Sequence, residues 1–427
     1  MKKHFNLFLL TMLSLIGSLM GCNPQERSAE QSNSSSETVT ILGTLTGNGE
    51  EKLMAAIAPF TERTGINVVY EGTDAFTTLV SVRVDSGDAP DIALFPQPGL
   101  LLDFARQGDL VPQSRSVLEP AYAPYWLDLT SVDGNLYGVW MRADVKSLVW
   151  YNPSEFEAAG YSVPTTWDEL EALTEQMIAD GNTPWCLGME SGTATGWVGT
   201  DWLEEILLRQ AGPEVYDQWV ANAIPFNDAA IVQALETFGT IVQDPNRVRG
   251  GTAAVISTPF GDSPAALFTT PPGCYLHRQA SFIADFFPQG LEPGSTVDVF
   301  ALPPIQPEQG NPVLVGGIVY AQFNDTPAAT ALMEYLATEE AHTLWAQEDY
   351  ITPHEAVGLD AYPNMLTRNQ AAVLKNADVI RFDGSDLMPG AIGTGTFWTG
   401  MVDYVGGTDA ATVLTKIEDS WPDTEAQ

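Results

Sequence analysis

The sequence predicts an α/β fold, a mainly parallel sheet flanked by helices, on three observations. Strand-like and helix-like stretches alternate from residue 38 to residue 106. Glycines close two of the helical stretches, at Gly65 and Gly87. Hydrophobic residues make up 44% of the chain and charged residues only 17%, enough apolar surface to cover a sheet on both faces. At about 150 residues per domain, 427 residues suggest about two or three domains.

Thr38–Gly43 alternates as a strand does. Leu53, Met54, Ile57 and Phe60 then fall at helical spacing within 50–64, and Gly65 stops that helix. Ile66–Glu71 reads as a second strand. Asp74 can cap a helix running to about Asp85. Ile92–Phe95 is a short apolar strand, and Pro98–Arg106 is the next helix. Strand, helix, strand, helix, strand is the order of βαβ units. Ligands of such sheets bind beyond the carboxyl ends of the strands, here Thr44–Gly49, Gly72–Asp74 and Pro96–Pro98. Asn135–Arg142 and Val145–Tyr151 are two strand-like runs with no helix between them, which suggests a crossing between domains. Pro153 and Gly160 bracket a short helix, and Thr166 with Glu169 forms a capping box for another.

The charge balance excludes some partners. Lys and Arg number 18 against 55 Asp and Glu, a formal charge of −37. Nucleic acid and anionic lipid surfaces both need a basic face, which this chain cannot supply. No P-loop or Gly-x-Ser-x-Gly motif occurs, and Gly393-x-Gly395-x-x-Trp398 lacks the third glycine of a dinucleotide fingerprint. His277, His342 and His354 are scattered and form no zinc motif, so no metal and no cofactor is implied. A glycoside hydrolase needs only two suitably spaced carboxylates, and with this many acids the sequence leaves that alternative open.

The N-terminus indicates export. Met1-Lys2-Lys3-His4 precedes an apolar run ending Leu19-Met20-Gly21-Cys22, too short for a stable membrane span. This resembles a bacterial lipobox, which would make residues 1–22 a lipoprotein signal peptide and Cys22 the lipidated residue that anchors the protein. Residues 23–37, rich in Ser, Gln and Glu, read as a flexible tether. Of the remaining cysteines, Cys186 and Cys274 are most simply a disulfide in an exported protein. Closing that long loop would restrict the unfolded chain by roughly 4 kcal/mol.

Tyr151-Asn152-Pro153, Phe156, Ala159-Gly160, Pro164 and Thr166-Trp167-Asp168-Glu169-Leu170 together resemble the marker segment of the large solute-binding proteins of sugar-type ABC importers, related to the maltose-binding protein. Phe60, Thr64-Gly65-Ile66, Pro90-Asp91-Ile92, Gly108-Asp109-Leu110 and Gly316-Gly317-Ile318 agree with that family. Trp185-Cys186-Leu187-Gly188 and Cys274-Tyr275-Leu276-His277-Arg278 look like its α-glucoside and glucosylglycerol branch. The resemblance implies a two-lobed periplasmic-binding-protein fold (type II) with a hinge. One lobe would take 38–142 plus 303–352, the other 143–302 plus 353–427, with crossings near Met141–Lys146, Pro303–Pro307 and Tyr350–Pro353. It implies binding without turnover: a small neutral sugar such as glucosylglycerol, sucrose or trehalose, delivered to the permease of an ABC importer by a protein working as a monomer.

The resemblance also singles out residues. Trp398 follows the loop Gly393–Thr396 and matches a family tryptophan that stacks on sugar. The family's counterpart of 190–197 reaches into the cleft, which points to Glu190 and Trp197, while Asp201 just beyond reads as a helix cap. Gln97 stands where the family presents groups to hydroxyls. Asp74 is either a ligand for a hydroxyl or a helix cap. Arg142, at the crossing, can donate two hydrogen bonds to adjacent hydroxyls or form a salt bridge between lobes. His277, held near Cys274, is either a sugar contact or a surface histidine. A peptide or amino-acid binder of the same architecture is the remaining alternative; it would need an anchoring Asp and Arg for charged termini.

Overall fold

In the computed structural model, which describes residues 37–422, the first half of a six-stranded sheet is built locally from successive βαβ units. These are β1 (Thr38–Gly43), α1 (Asn48–Thr64), β2 (Asn67–Gly72), α2 (Phe76–Asp85), β3 (Ile92–Phe95) and α3 (Pro98–Gln107). β1 runs parallel to both neighbours, with Thr38 opposite Asn67 and Ile41 opposite Ile92. The expected leader, Cys22 and all of the tether but Glu37 lie outside the described residues. Among the described residues no helix is long and apolar enough to cross a membrane.

Two short helices follow, α4 (Arg115–Leu118) and α5 (Pro124–Asp128), and then the chain departs from expectation. The run over 135–142 is not one strand. β4 (Ser131–Val132) and β5 (Asn135–Leu136) form a small hairpin, and β6 (Val139–Val145) is separate. The Tyr137 amide donates to the Thr130 carbonyl at 3.0 Å, turning the chain back before it joins the large sheet. β7 (Leu148–Tyr151) then opens a second sheet with β8 (His277–Arg278) and β9 (Asp298–Ala301). Both of its pairings are antiparallel, so the mainly parallel expectation fails for this sheet. Its strands of two and four residues are too short to leave a readable period in the sequence.

β10 (Pro312–Gln322), buried along its whole length, completes the large sheet with β11 (Val379–Phe382). The order is β11-β10-β3-β1-β2, with β6 also paired to β10. β10 runs antiparallel to β3 and β6 but parallel to β11. The three expected crossings lie side by side. The Ala143 amide donates to the Ile351 carbonyl at 2.8 Å, and the Leu302 amide donates to the Ser147 carbonyl at 2.9 Å.

Three further helices carry the second sheet's side: α6 (Pro153–Ala159), α7 (Trp167–Ala179) and α8 (Trp197–Gln210). At the start of α7 the Thr166 hydroxyl accepts from the Glu169 amide, but the Glu169 carboxylate returns the bond to Thr165 rather than Thr166. Cys186 and Cys274 form a disulfide, with Cα atoms 5.5 Å apart. Two apolar cores result. One surrounds the large sheet and includes Trp140, Tyr320 and Trp345; the other surrounds α8 and includes Trp185, Trp202, Trp219 and Phe238. Burying each such side chain stabilises the fold by about 1.5–3 kcal/mol before entropy is counted.

Candidate ligand-binding site

The carboxyl ends of β1, β2 and β3 form one wall of a cavity of about 690 Å³. The loop after β1 is tied down by Tyr70, whose hydroxyl accepts from the Leu45 amide at 2.8 Å and donates to its carbonyl at 3.0 Å. Asp74 lies in this wall and does not cap α2; that position falls to Ala75, with no side-chain bond. Gln97 sits just ahead of Pro98, which begins α3, so its side chain is held at the end of β3.

The facing wall is aromatic. Trp197, at the start of α8, lies edge-on to Phe260 with ring centroids 5.1 Å apart and also meets Phe282 at 5.9 Å. Phe286 packs against Phe260 at 5.1 Å. Glu190 lines the cavity, and its carboxylate accepts from the Gly192 amide at 2.8 Å, which folds the loop on itself. Gly196 allows this loop to approach Trp398: its φ is 121°, and an added Cβ would stand 2.2 Å from the Trp398 carbonyl oxygen. The stretch before Trp398 is not a loop, contrary to expectation. Ala391–Phe397 is a π-helical segment running straight into the helix Trp398–Val405. It packs so closely on the short helix Gly384–Leu387 that a Cβ on Gly393 would meet the Ser385 carbonyl oxygen at 1.8 Å.

Charges form the floor. Arg142 Nε donates to Asp144 at 3.2 Å, and its guanidinium lies 4.5 Å from the Tyr350 ring centroid. Lys146 bonds Asp201 at 2.8 Å and also bonds Asp383. Asp201 is therefore not the helix cap the sequence suggested; it lies within α8, fully buried, one turn before Glu205. Burial pushes Asp201 up to about 7, partly opposed by Lys146. Burial also acts to raise Asp383, but the Lys146 charge and bonds from its neighbours hold it down at about 2. Burial alone would lower the Lys146 pKa; the carboxylates of Asp201 and Asp383 instead hold it well above its ordinary value, so it stays charged.

Six of the seven residues singled out in the sequence line this one cavity: Asp74, Gln97, Arg142, Glu190, Trp197 and Trp398. The seventh does not. His277 is buried in β8, where its Nδ1–H donates to the Cys186 carbonyl at 2.8 Å, and it is neither a surface residue nor part of the cavity lining. The pairing of β8 with β7 turns the ring toward the disulfide. Sequence reasoning missed Phe260, Phe282, Phe286 and Asp285; the spacing of Phe282 and Phe286, four apart in a turn, was the available signal. No group of three or more His, Cys, Asp or Glu among the described residues could hold a metal.

Three lining side chains have a buried polar atom without a hydrogen-bond partner: Gln97 Oε1, Arg142 Nη1 and Trp398 Nε1. Their residues are only 7, 5 and 5% exposed. An orphaned buried donor or acceptor costs about 1–3 kcal/mol. Polar side chains beside aromatic faces suit a ligand whose hydroxyls both donate and accept and whose C–H faces are apolar.

Comparisons with known proteins bear on this site. Residues 46–343 match the profile of the bacterial extracellular solute-binding proteins. Over 390 residues the chain is 58% identical to the osmoprotective compounds-binding protein GgtB of Synechocystis sp., covering 90% of this chain and 92% of that one. It is 46% identical over 398 residues to the alpha-glucosides-binding periplasmic protein AglE of Rhizobium meliloti, covering 90% and 87%. Among solved structures, the bacterial solute receptor AcbH superposes with a TM-score of 0.78 at 19% identity, covering 90% and 98%. That receptor is described as having an exclusive preference for β-D-galactopyranose.

Proposed function

The chain belongs to the bacterial extracellular solute-binding proteins, which serve ABC importers and are not enzymes, and we propose that it captures a small neutral α-glucoside in the cavity described above. Glucosylglycerol, sucrose and trehalose are the candidate ligands. The observation that carries this reading is that Asp74, Gln97, Arg142, Glu190, Trp197 and Trp398 line one cavity with an aromatic wall.

The charge pattern supports a neutral ligand. Eight lining residues are acidic and two are basic, and both cations already face carboxylates, Arg142 at Asp144 and Lys146 at Asp201 and Asp383. A carboxylate-bearing ligand would meet no uncompensated cation, which weighs against an amino acid or peptide. The ligands for which the relatives are named, osmoprotective compounds and alpha-glucosides, support the same class.

We take residues 38–142 with 303–352 as one lobe and 143–302 with 353–427 as the other, with β11 extending the first lobe's sheet across that division. Ligand bridging the lobes expels water and shifts the population toward a closed form, which docks on a membrane permease. Cys22, lipidated, would hold the monomeric protein at the membrane surface, in the periplasm or on the cell surface.

Thermal unfolding of residues 38–427 against a panel of α-glucosides, other sugars and amino acids tests the reading. A ligand at 100 times its dissociation constant stabilises by about 2.7 kcal/mol, a readily measured shift. The expected result is a shift with an α-glucoside recovered intact. A shift only with amino acids, or one that decays as the sugar is cleaved, contradicts it.

A further inference from the structure

Asp285 joins parts of the molecule that belong to different sheets. It sits on the 3₁₀ turn Ser281–Phe286, which follows β8 of the small sheet. Its carboxylate accepts from Lys52 Nζ at 2.7 Å and from Asn48 Nδ2 at 3.3 Å, both on α1, which packs on the large sheet. It also accepts from the Tyr350 hydroxyl at 2.6 Å, at the crossing. Lys52 and Asp285 are 14% and 15% exposed, so water screens their attraction less than it would on an open surface.

The position of this bridge matters more than its strength. Asn48 and Asp285 line the cavity, whereas Lys52 and Tyr350 lie behind them. The bridge is therefore part of the cavity wall, and its bonds of 2.6–3.3 Å join α1 and Tyr350 to the turn. The Tyr350 ring is further held by the Arg142 guanidinium, 4.5 Å from its centroid, and by Lys52 Nζ at 4.7 Å. Phe282, Asp285 and Phe286 line the cavity from the same turn, so the bridge and part of the aromatic wall share one backbone segment.

We propose that Asp285 shuts the cleft on this side and so sets an upper limit on ligand length. A saccharide that extends past Asp285 has to break the bridge. Asp285 is thus a specificity-determining residue that acts by holding α1 and Tyr350 in place. The proposal rests on the α-glucoside reading.

Calorimetric titration with glucosylglycerol, maltose and maltotriose, on the wild type, Asp285→Ala and Lys52→Met, separates the two. In the wild type, maltotriose is expected to bind at least tenfold more weakly than the tighter of the two shorter ligands. In Asp285→Ala that gap should shrink at least tenfold, and in Lys52→Met it should shrink less. Lys52→Met carries the test if Asp285→Ala does not fold. A bridge that only stabilises the fold would shift all affinities together and leave the gap unchanged, which overturns the proposal. Equal binding of maltotriose by the wild type overturns it while leaving the function intact. No binding of any of the three, nor of sucrose or trehalose, overturns both.

Discussion

His277 is a buried imidazole with one partner, the Cys186 carbonyl. Burial, helped by the neighbouring Arg278 charge and opposed by the Cys186 bond, pulls its pKa down to about 4. The folded protein therefore resists a proton that the unfolded chain takes up near 6.5. Stability from this group is present above pH 6.5 and is lost as pH falls toward 4, by about 3 kcal/mol in all. His277→Gln, which keeps a donor for the carbonyl, should flatten that share of the acid-side decline. Urea unfolding of both proteins at pH 7, 5.5 and 4 measures it; parallel declines would refute it. At this scale the sequence was informative about residue type and blind to direction. Trp398, Trp197 and Gln97 were named by matching their positions to the family resemblance, and the structure brings them to one cavity. His277 has similar local credentials, but the strand pairing that aims its ring inward comes from residues more than a hundred positions away.

At the scale of elements, α8 is the least legible part of the chain. Asp201, Glu204, Glu205 and Arg209 recur at the spacing of one helical face, the usual mark of a solvated stripe. All four are buried. Their partners come from distant segments: Lys146 beside β6, Arg278 in β8, and the Gly384 and Ser385 amides, which donate to Glu204 at 3.0 and 2.9 Å. Pairing over such distances leaves no periodicity, so the sequence presented Asp201 only as a cap. The network fastens the β6–β7 connection and the start of β10 to α8, because Ser147 donates to Glu205 at 2.8 Å and Arg209 donates to the Pro312 carbonyl at 2.9 Å. Removing one partner of a buried pair leaves the other uncompensated, at about 3–5 kcal/mol. Lys146→Met should therefore lower the urea midpoint by that equivalent at pH 8; a loss under 1 kcal/mol would show that water reaches the network. At pH 5, where Asp201 binds a proton in the folded state, the loss should be smaller.

At the scale of the molecule, the local half of the architecture was readable and the assembled half was not. β1 to α3 follow one another as neighbours in both sequence and space. β10 and β11 enter the same sheet from residues 312–322 and 379–382; the family resemblance suggested the return of 303–352 but assigned 379–382 to the other lobe. The cavity inherits this division, since its walls join Thr44 to Trp398. Its use as a sugar site stands or falls on Trp398, buried beside the cavity with its indole N–H unpartnered. The most direct measurement is calorimetric titration of glucosylglycerol into the wild type and Trp398→Ala, at a temperature where circular dichroism shows both folded. The account predicts one-to-one binding by the wild type and an affinity about 30-fold lower in the variant, the equivalent of about 2 kcal/mol. No heat of binding in the wild type, or equal affinities in the two proteins, would contradict it.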